Sequence, residues 1–297
     1  SPSPTPDPFL PYYIETLTAR PYGEGPIRIG MLLEETPTFQ RYAISYPSDG
    51  LHITGYLNLP KGTGPFPVII LNHGYYPPEH YQTGDGTREA ADFLAQHGYL
   101  TLASDYRNYA GSDHSDNFFR LGFVVDIMNL LASLDTLPAG WADTERVGMW
   151  GHSMGGGVTI NVVALAGDAL DAAVIYGGMS GDMSDATRHV LAVWQRPDYM
   201  IPVAAWGGPD ERPDAYAHMS ALSHLDRAHA ALSIHHGTYD EQVPYSWSEK
   251  LRDVALTAGL RVEHFAYPNV QHNFSGETWT LFMGRSADFF AREVKGR

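Results

Sequence analysis

Cysteine is absent from all 297 residues, which removes thiol nucleophiles, disulfides and thiolate-bound zinc from consideration. That absence leaves the compartment open. No run approaches the roughly 18–20 consecutive apolar residues of a membrane-spanning helix. Basic residues are scarce, 19 against 34 acidic ones, for a net charge of −15. A surface of that sign repels nucleic acid and anionic lipid. It also disfavours polyanionic substrates, unless a local basic pocket reverses the field. No G-x-x-x-x-G-K-[ST] phosphate loop occurs either. What is present is an ordinary 43% hydrophobic share, enough for a sizeable core without staples.

The opening "SPSPTPDPFLP" alternates Pro with small polar residues. It reads as a stiff, disordered spacer over residues 1–11 that cannot pack a core. A Ser/Pro spacer of this kind suits an exported protein tethered behind a removed signal or lipid anchor. A single domain over 12–297 follows. "RYAISYPSDGLHITGYLNLP" alternates around Ser-Asp-Gly as a hairpin does. "PFPVIILNHG", "LTLASDYR", "RVGMW", "LDAAVIYGG", "AALSIHHGT" and "RVEHFAYP" read as buried strands, and helical spacing separates them. Strands alternating with helices predict an α/β domain built on one doubly wound, mostly parallel sheet. From about Asp182 to Ala217 the rhythm breaks. That stretch has no strand but carries Trp194, Tyr199 and Trp206, and a lid-like insertion is the expectation.

Between a predicted strand and a predicted helix lies Gly151-His152-Ser153-Met154-Gly155. It fits G-x-S-x-G, a sharp strand-to-helix turn that projects a serine hydroxyl above the sheet. Such a hydroxyl needs a base, and the base needs an orienting acid. "HHGTYDEQVP" places Asp240 in the loop after one buried strand, and "YPNVQHNF" places His272 after the last. Both then reach the carboxyl edge where Ser153 stands, in the order Ser, Asp, His. Asp182, after the preceding strand, is the rival acid. His152 is the tempting base because it adjoins Ser153, but its side chain is expected to point away from the hydroxyl.

An acyl-transfer transition state also needs two N–H donors for its oxyanion. Met154, next after the nucleophile, and Tyr75, in "LNHGYY", are the candidates. Tyr76, Trp194, Tyr199 and Trp206 are candidates for the substrate pocket. His218, His224, His229, His235 and His236 match no metal-ligand spacing and read as surface or capping residues. Neither a metal nor another cofactor is expected.

With "GHSMGG", "HGTYDEQVPY" and "YPNVQHNF" assembled, and "DYR" at 105–107, the chain resembles the α/β-hydrolase superfamily over about residues 40–295. Within it, the similarity is greatest to the catalytic domain of the prolyl oligopeptidase (S9) family and its esterase relatives. The resemblance implies Ser153 as nucleophile, Asp240 as acid and His272 as base. Peptidases of that family carry a β-propeller ahead of this domain. Fewer than about fifty residues precede the hydrolase body here, against about 40–45 for one propeller blade. The expectation is therefore a serine carboxylesterase acting on a small-molecule ester with an aromatic or bulky acyl group, such as hydroxycinnamoyl or terephthalate-like. An aminopeptidase or acyl-peptide hydrolase is the alternative. The sequence leaves the oligomeric state open.

Overall fold

A computed structural model describes residues 6–296. Nine strands form one sheet: β1 (Arg28–Glu35), β2 (Phe39–Ser48), β3 (Leu51–Pro60), β4 (Phe66–Asn72), β5 (Leu100–Ser104), β6 (Ala142–His152), β7 (Ala172–Tyr176), β8 (Ala231–Gly237) and β9 (Val262–Tyr267). Their order is β1-β2-β3-β5-β4-β6-β7-β8-β9. The first three strands run antiparallel to their neighbours, and all pairings from β5 to β9 are parallel. The expected hairpin is β2–β3. Asp49 and Gly50, at φ 53° and 73°, make its two-residue turn, the left-handed geometry that matches strand twist. β1 had no counterpart in the sequence reading, because "RIGMLLEE" lacks alternation and lies almost wholly exposed on the sheet edge.

Burial splits by strand period. On β4, Val68 and Ile70 face one core with α3 (Leu121–Ala132) and α4 (Met154–Ala166), whereas Ile69 and Leu71 face a second core. That second core is closed by α2 (Arg88–Gln96) and α8 (Gly276–Phe290), through residues such as Leu94, Phe282 and Phe290. Each such side chain fully buried removes enough apolar surface to contribute about 1.5–3 kcal/mol. A sheet covered on both faces leaves only its edges and strand ends for chemistry. β4 is flanked by β5 on one side and β6 on the other. This reversal of winding opens the crevice at the carboxyl ends of the strands.

The expected spacer needs correction. Phe9 is fully buried, packed on Phe119, Trp206 and Tyr216 with the Arg212 guanidinium over its ring. Leu10–Tyr12 is a 3₁₀ turn, and Asp7 accepts hydrogen bonds from Tyr13 and Arg212. One large aromatic side chain outweighs the spacer-like prolines around it. Residues 1–5 of the expected spacer lie outside the described residues.

The 182–217 stretch is strandless and helical: α5 (Met183–His189), a π-helical stretch at Val190–Trp194, α6 (Pro197–Trp206) and α7 (Pro213–His218). A short N-terminal helix, α1 (Ile14–Ala19), is tied to this region through Glu15. Its Oε1 lies 2.9 Å from both His218 Nδ1 and His224 Nε2. His224 is therefore buried in a clamp, as is Glu15's second oxygen, instead of lying on the surface. Among the described residues, no helix is long and apolar enough to cross a membrane.

Candidate active site

β6 ends at His152, and Ser153 turns the chain into α4 with φ 56° and ψ −120°. A non-glycine residue in that region is strained, and the surroundings hold it there. Ser153 N–H donates to Tyr176 O at 3.0 Å, and Ser153 C=O accepts from Met179 N–H at 3.0 Å. The neighbouring glycines are required by close approach. A Cβ on Gly151 would lie 2.3 Å from Gly155 O, and one on Gly155 would lie 2.0 Å from Asn72 O. Across the crevice, a Cβ on Gly74 would lie 3.2 Å from Ser153 Cβ. The backbone leading to Tyr75 thus passes directly over the serine.

β8 and β9 deliver the other two groups. Asp240 and His272 are buried, and Asp240 Oδ2 accepts from His272 Nδ1 at 2.7 Å. Its Oδ1 accepts from the N–H groups of Gln242 and Val243 at 2.9 and 2.8 Å. Burial opposes the charge on Asp240. The hydrogen bonds from His236 and His272 outweigh that penalty and hold its carboxyl well below the usual range. Glu241 accepts from the His272 backbone N–H at 3.2 Å, fixing the loop that carries the imidazole. A carboxylate bonded to Nδ1 leaves Nε2 as the nitrogen available for proton transfer.

His236 is the functional neighbour that sequence reasoning missed. It is fully buried, with Nε2 3.0 Å from Asp240 Oδ2 and 3.1 Å from Val243 O. His235 is fully buried as well, between Ser233 Oγ and Tyr267 Oη. Neither is a surface or capping histidine. The signal lay in their position, since both stand inside a strand that is buried throughout. His152 stacks on Tyr176 at 4.1 Å, and burial lowers its pKa to about 3. It stays neutral beside the His272 ring, 4.7 Å away. Asp182, the rival acid, caps α5 and pairs with Lys250 at 2.8 Å, so it is engaged elsewhere.

Ser153 opens into a cavity of about 110 Å³ walled by Tyr75, Arg120, Met154, Met179, Trp194, Arg196 and Gln242. A larger cleft of about 300 Å³ shares Tyr75, Arg120, Met154 and Arg196 with it. Tyr75, Met154 and Trp194 are thus among the residues that line the cavity at Ser153. Three other pocket candidates do not. Tyr76 lines a separate hollow of about 310 Å³ with His152 and Trp279. Tyr199 is buried against Phe119, with its hydroxyl 3.4 Å from Phe119 O. Trp206 packs on Phe9, Tyr12 and Phe118. For Trp206 the N-terminal segment supplies the apolar partners that keep it out of the site, and for Tyr199 the Phe119 ring does. Glu15, His218 and His224 bring three possible metal-ligand atoms, one carboxylate oxygen and two imidazole nitrogens, within 4.8 Å of one another. They lie on α1 and at and after the end of α7, away from the loops that carry Ser153, Asp240 and His272.

A strained serine turn after β6, a buried carboxylate after β8 and a histidine after β9, on a mostly parallel sheet, match the α/β-hydrolase fold. Residues 86–297 match the prolyl oligopeptidase family, and the chain belongs to that family. It is similar to an acylaminoacyl peptidase of Pyrococcus horikoshii, at 21% identity and a TM-score of 0.70, covering 88% of this chain and 43% of that one. Acetyl xylan esterase 1 of Thermoanaerobacterium sp. JW/SL YS485 superposes with a TM-score of 0.69 at 16% identity, over 97% and 94% of the two chains. An uncharacterised 31.7 kDa protein of Escherichia coli is 27% identical over 128 residues, 39% of this chain and 38% of that one. The chain thus spans well under two thirds of several of the proteins it matches.

Proposed function

We propose that the protein is a serine hydrolase that cleaves carboxylic esters through an acyl-enzyme. The observation that carries this reading is the buried Asp240–His272 pair at 2.7 Å, on the same sheet edge as the strained Ser153. Ser153 Oγ attacks the ester carbonyl while His272 Nε2 takes its proton. The N–H groups of Tyr75 and Met154 receive the oxyanion. His272 then protonates the departing alcohol, and water reverses the sequence to release the acid. Asp240 keeps the imidazole in the required tautomer and offsets its positive charge.

The esterase reading is supported by the similarity to acetyl xylan esterase 1, which extends over nearly the whole of both chains. An aromatic acyl group is supported by Tyr75 and Trp194 alone, since Tyr76, Tyr199 and Trp206 lie elsewhere. Family membership favours the second reading, an aminopeptidase or acyl-peptide hydrolase. Turnover of 4-nitrophenyl esters against aminoacyl-4-nitroanilides, with a Ser153→Ala control, separates the two. The esterase reading expects ester cleavage to dominate and to vanish in the control. Anilide turnover that matches or exceeds ester turnover replaces it with the peptidase reading.

A further inference from the structure

The cavity beside Ser153 carries charge of the wrong sign for this molecule. The protein as a whole has a net charge of −15, yet two guanidiniums, Arg120 and Arg196, line this cavity and no carboxylate does. Arg120 is buried and held by Asp198 at 2.7 Å. It also stands 5.6 Å from the centres of the Tyr75 and Tyr199 rings. Burial opposes its charge, but Asp198 outweighs that and keeps it cationic. Arg196 differs. Its guanidinium carbon stands over the Tyr75 ring, 4.1 Å from the ring centre. Among the described ion pairs it has no carboxylate partner. Asp198 and the exposed Asp116 line the outer cleft, not the cavity at the serine.

An arginine stacked on an aromatic ring keeps its in-plane N–H donors free, and their fork matches a carboxylate. The cavity also has a direction. Tyr75 and Met154, the proposed oxyanion donors, are among its walls, whereas His272, which must face the leaving oxygen, is not. Under the proposed mechanism this makes it the acyl side of the site. We infer that Arg196, supported by Arg120, is an anion subsite, and that the preferred substrates are half-esters of dicarboxylic acids whose free carboxylate docks on the Arg196 fork. This rests on the esterase reading above. In the reaction the acyl C–O bond breaks and water supplies the new acid hydroxyl and the alcohol proton. The products are the alcohol, a dicarboxylate and one proton.

The test compares monomethyl terephthalate and monoethyl succinate with dimethyl terephthalate and diethyl succinate, followed by chromatography of the products. The expected result is a kcat/KM at least about tenfold higher for the half-esters, the scale of one charge-assisted hydrogen bond. Arg196→Gln should lower that ratio by a similar factor and Arg196→Lys should restore part of it. Raising the ionic strength should narrow the ratio in the unsubstituted protein. A ratio near one, or equal losses on both ester types in Arg196→Gln, overturns the subsite and leaves the esterase reading standing. Should no ester be cleaved, the esterase reading fails on its own. Titration calorimetry with terephthalate dianion still decides the subsite: saturable binding weakened by Arg196→Gln supports it, and no binding at millimolar concentration refutes it.

Discussion

Acidification from pH 7.5 to pH 5 should destabilise this protein, through histidines that never meet solvent. His73 is fully buried between the rings of Tyr81 and Tyr106, and burial lowers its pKa from 6.5 to about 4. His235 is fully buried on β8, and burial, with Arg285 and His264 nearby, holds it well below its ordinary value too. In the unfolded chain both titrate at their ordinary value. Between that value and the folded one, the unfolded state therefore binds more protons, and stability must fall as the pH falls. Their contribution is complete well above pH 6.5 and declines below it, for His73 at about 1.4 kcal/mol per pH unit down to its folded value. At pH 5 that is about 2 kcal/mol for His73 alone, a sizeable share of a typical domain's 5–15 kcal/mol, and His235 acts in the same direction. The depressed carboxylates, Asp240 and Glu15, lose their contribution only below the ordinary carboxylate range. Asp105 and Asp126 are raised by burial and act in the opposite direction, moderating the loss. Denaturant titrations at pH 7.5, 6.5 and 5 measure the slope directly. A stability that stays within about 1 kcal/mol over that range would refute the claim that these rings are locked neutral.

Other perturbations separate chemistry from scaffold. Asp240→Asn keeps the shape of the side chain but replaces an acceptor facing two imidazoles with a donor. It should lower kcat for esters by about 10⁴-fold, measured with a 4-nitrophenyl ester, and a loss under tenfold would argue against its role. Phe9→Ala removes a fully buried ring from the Phe119–Trp206–Tyr216 cluster. About 3–5 kcal/mol of unfolding free energy should go with it, while kcat/KM of the remaining folded protein holds. Gly155→Ala would push a methyl to 2.0 Å from Asn72 O, so soluble, folded protein should be lost in expression and circular dichroism.

The loops that carry Ser153, Asp240 and His272 were legible because the proposed chemistry demands rare local patterns. Ser153 needs glycines around a strained turn, and Asp240 and His272 each follow a strand whose apolar run is easy to see. What failed was anything decided by the facing partner. Trp206 and Tyr199 look like pocket aromatics until Phe9 and Phe119 are found against them, over a hundred residues away in the case of Phe9. Phe9 itself is hidden among prolines that match a spacer. His236 has no motif spacing, and its meaning comes from the i,i+4 return of Asp240 at the end of β8. Arg120 and Arg196 are ordinary arginines in the sequence. Only folding sets them along one cavity, with Arg120 paired to Asp198 and Arg196 left without a carboxylate among the described ion pairs.

The most direct measurement of the central claim is labelling with a fluorophosphonate followed by peptide mass mapping. A single adduct on Ser153 is predicted, accompanied by loss of ester hydrolysis and strongly slowed by His272→Ala. No label should appear on the Ser153→Ala protein. An adduct on another residue, or ester hydrolysis that survives in Ser153→Ala, would contradict the account.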